Sequence, residues 1–172
     1  SLDSAYKEGQ TIVIAVRFDK AITVTGTPQL TLETGSNDAV VDYVSGSGTT
    51  MLTFNYTVAS GQNSDDLDYA DTTSLALNGG TITETGGTSA ATLTLPSPGA
   101  ANSLGANKAL VIDTTVPTMT ITATNGTSAV DDGSSSNAIL TLTFTASEAT
   151  TDFTETDITV SGGTISNFTA VS

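Results

Sequence analysis

The side chains able to do chemistry in this sequence are almost all carboxylates. Asp and Glu number 18 against 4 Lys and Arg, giving a formal net charge of -14, and Cys, His and Trp are absent. Without Cys there is no thiolate nucleophile, disulfide framework or sulfur-ligated metal. Without His there is no Ser-His-Asp triad and no ordinary zinc site. A carboxylate pair is the remaining catalytic option. A glycosidase using one would want aromatic platforms for sugar, and the chain has only Tyr 4 and Phe 5. No enzyme is expected. The same charge repels a nucleic-acid backbone and an anionic membrane, so neither is an expected partner. The longest purely apolar runs, such as "IVIAV", are strand-sized, and membrane insertion is not expected.

Carboxylates gathered at one place can hold a divalent cation. The candidates are Glu8 in "YKEG", Asp65, Asp66 and Asp68 in "NSDDLDYAD", Asp113 in "VIDTTVP" and Glu148 in "TASEAT". Bare carboxylates ~5–7 Å apart repel by roughly 0.6–3 kcal/mol per pair. Calcium removes that penalty and takes six to eight oxygens from carboxylates, carbonyls and water. Asp19 would face a preceding module in the same way. The plain alternative is that these acids are solvated turn residues that keep the chain soluble. "DDGSSSN" (131–137) lacks the spacing and final Glu of an EF-hand loop and reads as a flexible turn. Three Asn-x-Thr triplets, at Asn55, Asn125 and Asn167, are acceptors for N-glycosylation in a suitable secretory route.

These residues need a scaffold, and the alternation along the chain supplies one. In "QTIVIAVRF" (10–18), Ile12, Ile14, Val16 and Phe18 face one way and Thr11, Val13, Ala15 and Arg17 the other. "TMLTFNYTV" (50–58) sets Leu52, Phe54, Tyr56 and Val58 against Met51, Thr53, Asn55 and Thr57. "PQLTLE" and "DAVVDYV" are further strands. Weaker ones are expected at "LDY", "SLAL", "GTIT", "ATLTL" (91–95) and "KALVI" (108–112). Gly, Ser and Asn clusters punctuate them, and no amphipathic helix stands out. "LPSPG" and the long "PSPGAANSLGAN" segment read as surface connection. The expectation is all-β: an immunoglobulin-like sandwich over 1–114.

The pattern then returns. "ILTLTFTASEAT" (139–150) echoes "IVIAVRFDKAIT" (12–23), and "SGGTIS" (161–166) echoes "NGGTIT" (78–83). An internal repeat predicts tandem modules, the second partial one over 115–172. Pro117 in the linker "DTTVPT" fixes its own φ and biases the residue before it toward extended geometry. So short a second copy would bury only about 60% of its unfolded surface and be marginal alone. The opening "SLDSAYKEGQ" has no leader, so the chain is expected to begin and end inside modules.

The phrases "YKEGQTIVIAVRFDKAITVTGTPQLTLETG", "SGSGTTMLTFNYTVASGQNSDDLDYA", "SLGANKALVIDTTVPT" and "LTLTFTASEATTDFTETDITVSGGTISNFTAVS" together resemble the bacterial-type immunoglobulin-like repeats of large extracellular adhesins and surface fibre proteins. Where that family usually has "DAAGN" after the Gly-Gly-Thr-Ile turn, this chain has "TETGGTSAA". The resemblance implies a non-enzymatic extracellular or cell-surface module that acts as a spacer or as a filament or stalk block. Its partners would be neighbouring repeats of the same chain or like subunits. The rival implication is a carbohydrate- or protein-binding module of a secreted adhesin or enzyme, meeting glycans or a host surface.

Overall fold

The computed structural model describes residues 1–125 and 139–170. It divides into two compact units, Ser1–Thr115 and Val116–Ser172. In the first unit, β1 (Ser4–Tyr6) leads through a turn to β2 (Thr11–Thr25), the longest strand. Next come β3 (Gln29–Leu32), β4 (Ala39–Ser45), β5 (Thr49–Thr57), β6 (Leu75–Ala76) and β7 (Thr81–Glu84). A four-residue helix, α1 (Leu104–Asn107), precedes β8 (Leu110–Ile112).

Strands β6-β3-β4-β5-β2-β7 form one antiparallel six-stranded sheet. Two irregularities bend it. β4 pairs β3 through Asp42 and turns to β5 from Tyr43, and β2 shifts register between Arg17 and Ile22. Past that shift β2 keeps only Ile22↔Thr49 with β5 and pairs with β7 on its other edge, from Ile22↔Glu84 to Thr25↔Thr81. The sheet thereby curls around one core. β1 and β8 add a parallel pair, Ser4↔Leu110 to Tyr6↔Ile112.

The alternation read from sequence fills that core. Ile12 and Ile14 of β2 oppose Tyr56 and Phe54 of β5, and all four are buried. Leu30, Leu32, Leu52, Leu67, Leu110 and Ile112 close the cluster. Each such side chain stabilises by about 1.5–3 kcal/mol relative to exposure. The opposite face carries the threonines. Cross-strand hydroxyl pairs run Thr11–Thr57 at 3.0 Å, Thr23–Thr85 at 3.2 Å and Thr25–Thr81 at 2.7 Å. Threonine is thus abundant here because it suits the wet face of a pleated sheet and pairs across it.

Several weak strand expectations are corrected. "ATLTL" is not a strand: Ala91 N–H donates to Ile82 and Leu95 N–H to Thr72, with no ladder between. Leu93 and Leu95 pack against the core without strand pairing, and Pro96 brings no N–H to extend a ladder. "LDY" makes only the bridge Leu32↔Tyr69, and "SLAL" keeps only Leu75 and Ala76 in a strand. "SGGTIS" forms no strand, unlike its counterpart at β7.

In the second unit, β9 (Met119–Thr124) and β10 (Thr141–Ala146) form an antiparallel hairpin, followed by a 3-10 turn, Glu155–Asp157. One hairpin face pairs Met119 with Ala146, Ile121 with Phe144 and Ala123 with Leu142. The other pairs six threonines. Phe144, Phe153 and Phe168 stack in sequence, with centroids 5.4 and 5.9 Å apart. No described side chain of this unit is among the buried core residues.

Candidate functional site

The acids of "NSDDLDYAD" follow the chain as it crosses β8: Ser64 pairs with Ile112, and Leu67 N–H donates to the Leu110 carbonyl. This direction carries Asp68 toward α1. Asp68 is buried, and both its oxygens accept backbone N–H groups. Oδ1 takes Tyr69 at 2.9 Å and Leu104 at 3.1 Å, and Oδ2 takes Gly99 at 3.0 Å. Ser103, also buried, caps α1 by accepting Ala106 N–H at 3.1 Å and receives Gly99 N–H at 3.1 Å. The segment read as plain surface connection is therefore fastened at two points. Gly105 permits this: a β-carbon there would lie 3.1 Å from Asp68 Oδ2 and 3.3 Å from Asp66 Oδ2.

The structure thus brings Asp66 and Asp68 together beside Gly105. It places Glu8 and Asp113 elsewhere in the first unit, where β1 and β8 end side by side. There Asp113 N–H donates to the Tyr6 carbonyl, and Glu8 lies in the turn closed by Gln10 N–H on Lys7. Asp113 Oδ1 accepts Thr115 N–H at 3.0 Å, an Asx turn at the chain's exit from the unit. Beside it, Thr114 accepts Gly61 N–H and donates to the Gln62 carbonyl, while Asn63 Oδ1 accepts Thr114 N–H at 2.8 Å. Asp65 and Asp19 are exposed, and Glu148 is half-buried just after β10 in the second unit. Among the described residues, no group of three or more acids is arranged to hold a metal ion.

Other titratable groups serve the scaffold. Asp71 accepts the Thr73 hydroxyl at 2.7 Å and the Thr73 N–H at 2.6 Å, which hold its carboxyl below the usual range. A 2.9 Å pair with Glu84 raises Lys20. Burial pushes Tyr56 up to about 12, and its hydroxyl donates to Gln62 Oε1 at 2.9 Å. Burial, then the Asp68 charge, raises Tyr69, whose hydroxyl donates to the Pro96 carbonyl at 2.6 Å. Tyr56 and Tyr69 are core residues, and Tyr6 and Tyr43 are half-buried. The tyrosines do not form an exposed aromatic platform.

Asn55 projects from the exposed face of β5, and Asn125 and Asn167 are exposed as well. Thr127 of the middle triplet and the "DDGSSSN" stretch lie outside the described residues. Sequence reasoning missed Ser103 and Gly105. Ser before an apolar residue is a capping signal, but a four-residue helix carries no periodicity to reveal it.

A curled antiparallel sheet over an aliphatic and aromatic core, with its one buried acid bonded to backbone amides, makes the first unit an all-β module, consistent with an immunoglobulin-like fold. The bacterial Ig-like domain family model matches residues 113–172, the second unit with the joint before it. The similarity to bacterial Ig-like repeats therefore holds over that stretch, and domains of this family are generally non-catalytic structural modules. No curated protein and no solved structure matches the chain. No helix among the described residues is long and apolar enough to cross a membrane.

Proposed function

We propose that this chain is a non-enzymatic structural portion of a long extracellular surface protein. It holds distance as a spacer or as a block of a stalk or filament. The match of residues 113–172 to the bacterial Ig-like domain carries this reading. The first unit supports it: its polar side chains are spent on turns, caps and cross-strand pairs. End-to-end stacking of like modules would supply the length, with "DTTVPT" limiting the bend at the joint. Neighbouring repeats or like subunits are then its partners.

Immunogold labelling of intact cells tests the location, and electron microscopy of the native molecule tests the shape. Label on the cell exterior and a beaded, extended particle are the expected results. Label confined to the cell interior, or a compact particle, would overturn the reading. A carbohydrate-binding module would instead give specific signals on a glycan array.

Calcium belongs to this proposal at the pole where Glu8 and Asp113 sit. Calorimetry is expected to show a site with Kd of ~10⁻⁴–10⁻³ M, the range of extracellular modules. Flat heats at millimolar calcium would remove the ion from the proposal. Glycosylation at Asn55, Asn125 or Asn167 would add mass that a glycosidase removes. An unmodified mass in the native protein rules it out.

A further inference from the structure

We propose that the first unit bears tension, with the parallel pair β1–β8 as the clamp that tension must break. The role rests on the spacer reading: a module that holds distance at a surface is pulled along its backbone. Tension passing through this unit from the Ser1 side reaches β1 first, and it leaves by β8 toward Thr115. The two strands pair in parallel, Ser4↔Leu110 to Tyr6↔Ile112. The Ser4 end of β1 therefore lies at one pole and the Ile112 end of β8 at the other. Pulling Ser4 back and Ile112 forward slides the strands past each other along their axes. Ladder bonds lie across that direction, so they are strained together and must fail together. An antiparallel pair would put both pull points at one end, and its bonds would open one at a time.

β8 is held along both edges. Backbone groups of alternate residues in a strand point to opposite edges. Toward β1, Ser4 N–H donates to the Ala109 carbonyl at 3.2 Å and Asp113 N–H donates to the Tyr6 carbonyl at 3.0 Å. Away from β1, Ile112 N–H donates to the Ser64 carbonyl at 2.7 Å and the Ile112 carbonyl accepts Ser64 N–H at 2.9 Å. On that same edge the Leu110 carbonyl accepts Leu67 N–H at 2.8 Å. Drawing β8 out of the unit breaks both rows. Leu110 and Ile112 are buried, so it also drags apolar side chains out of the core.

Side chains lock the points where the pull enters and leaves. At the Ser4 pole, Lys108 pairs with Asp3 across the two strands at 3.3 Å, and the Tyr6 hydroxyl donates to the Leu2 carbonyl at 2.8 Å. At the other pole, Thr114 ties the chain just past β8 to residues 61–63. Its hydroxyl accepts Gly61 N–H at 3.0 Å and donates to the Gln62 carbonyl at 3.1 Å. Its own N–H donates to Asn63 Oδ1 at 2.8 Å. Tension arriving along the backbone from Thr115 meets these bonds before it reaches Ile112.

Single-molecule pulling on the whole chain tests this. The sequence has no cysteine, so introduced cysteines alone carry the handles. Leu2→Cys with Thr115→Cys pulls the clamp in shear. Glu8→Cys with Thr115→Cys pulls from the pole where β1 and β8 end side by side, and peels β8 away. All three positions are exposed. The rupture force of the first unit is expected to be severalfold higher in shear than in peeling. Shear rupture should come in one step that releases roughly 350 Å of chain, the length of the residues held between β1 and β8. Ser4→Pro removes the N–H given to Ala109 at the first residue of a strand, where proline is tolerated. It is expected to lower the shear force and leave the peeling force unchanged. Equal forces in the two directions would overturn the clamp and leave the spacer reading standing, which fails on its own test of cell-surface label. A shear force indifferent to Ser4→Pro would also overturn it.

Discussion

Asp68 shows how a residue chosen for its charge can serve the backbone instead. It accepts three N–H groups, from Tyr69, Gly99 and Leu104, from a buried position. Asp68→Ala strands those donors and is expected to cost about 2–4 kcal/mol in urea unfolding of the first unit. Asp68→Asn should cost less, because its carbonyl oxygen still serves Tyr69 and Leu104. Tyr56 makes a prediction in pH. Its folded pKa, about 12, lies above the ordinary 10.0, so it favours folding fully below pH 10.0. That contribution is lost as pH rises from there through the folded value. The stability difference between wild type and Tyr56→Phe should therefore shrink from pH 9 to pH 12, by ~1–2 kcal/mol in urea midpoints. Gln62 Oε1 keeps its bond from Ala59 N–H in that variant, so the comparison leaves no acceptor stranded.

At the scale of elements, turns and register decide more than propensity does. β4 and β5 meet at Gly46, whose φ is 118° and where a side-chain carbon would overlap the Met51 carbonyl. Gly46→Ala is expected to lose at least about 2 kcal/mol by thermal or urea unfolding. β2 is readable as a strand from Ile12, Ile14 and Val16. Its continuation past Arg17 is not, because "DKA" breaks the alternation. That irregularity is what lets one strand serve β5 and then β7. "ATLTL" fails in the opposite sense. Its alternation is clean, yet the segment makes no ladder and contributes Ala91, Leu93 and Leu95 to the edge of the core.

For the whole molecule, the two units differ in how much they bury. The first has one core cluster running from Ile12 to Ile112. The second offers three half-buried phenylalanines and leaves Met119, Ile121, Ile139, Leu140 and Leu142 exposed. Opening free energies track such burial. In the isolated chain, amides of β2 and β5 should exchange about a hundredfold or more slowly than those of β9 and β10, by hydrogen-exchange mass spectrometry. Equal protection would contradict this reading of the second unit as lightly packed.

Alternation by itself determined the all-β class, the inward sets Ile12/Ile14 and Leu52/Phe54/Tyr56, and the outward placement of Asn55. Missing residue types alone excluded thiol and imidazole chemistry. These properties belong to single residues and to neighbours two apart, which a linear sequence displays. Only the tertiary structure decided which acids meet. The parallel pairing of β1 with β8 joins residues more than a hundred positions apart, and no local pattern announces it. That pairing and the Leu67–Leu110 contact send Asp68 to Gly99 and Leu104, while Asp113 leaves at the end of β8. Long-range register, set by packing across the core, therefore placed Asp66 and Asp68 beside Gly105 and Asp113 at the end of β8.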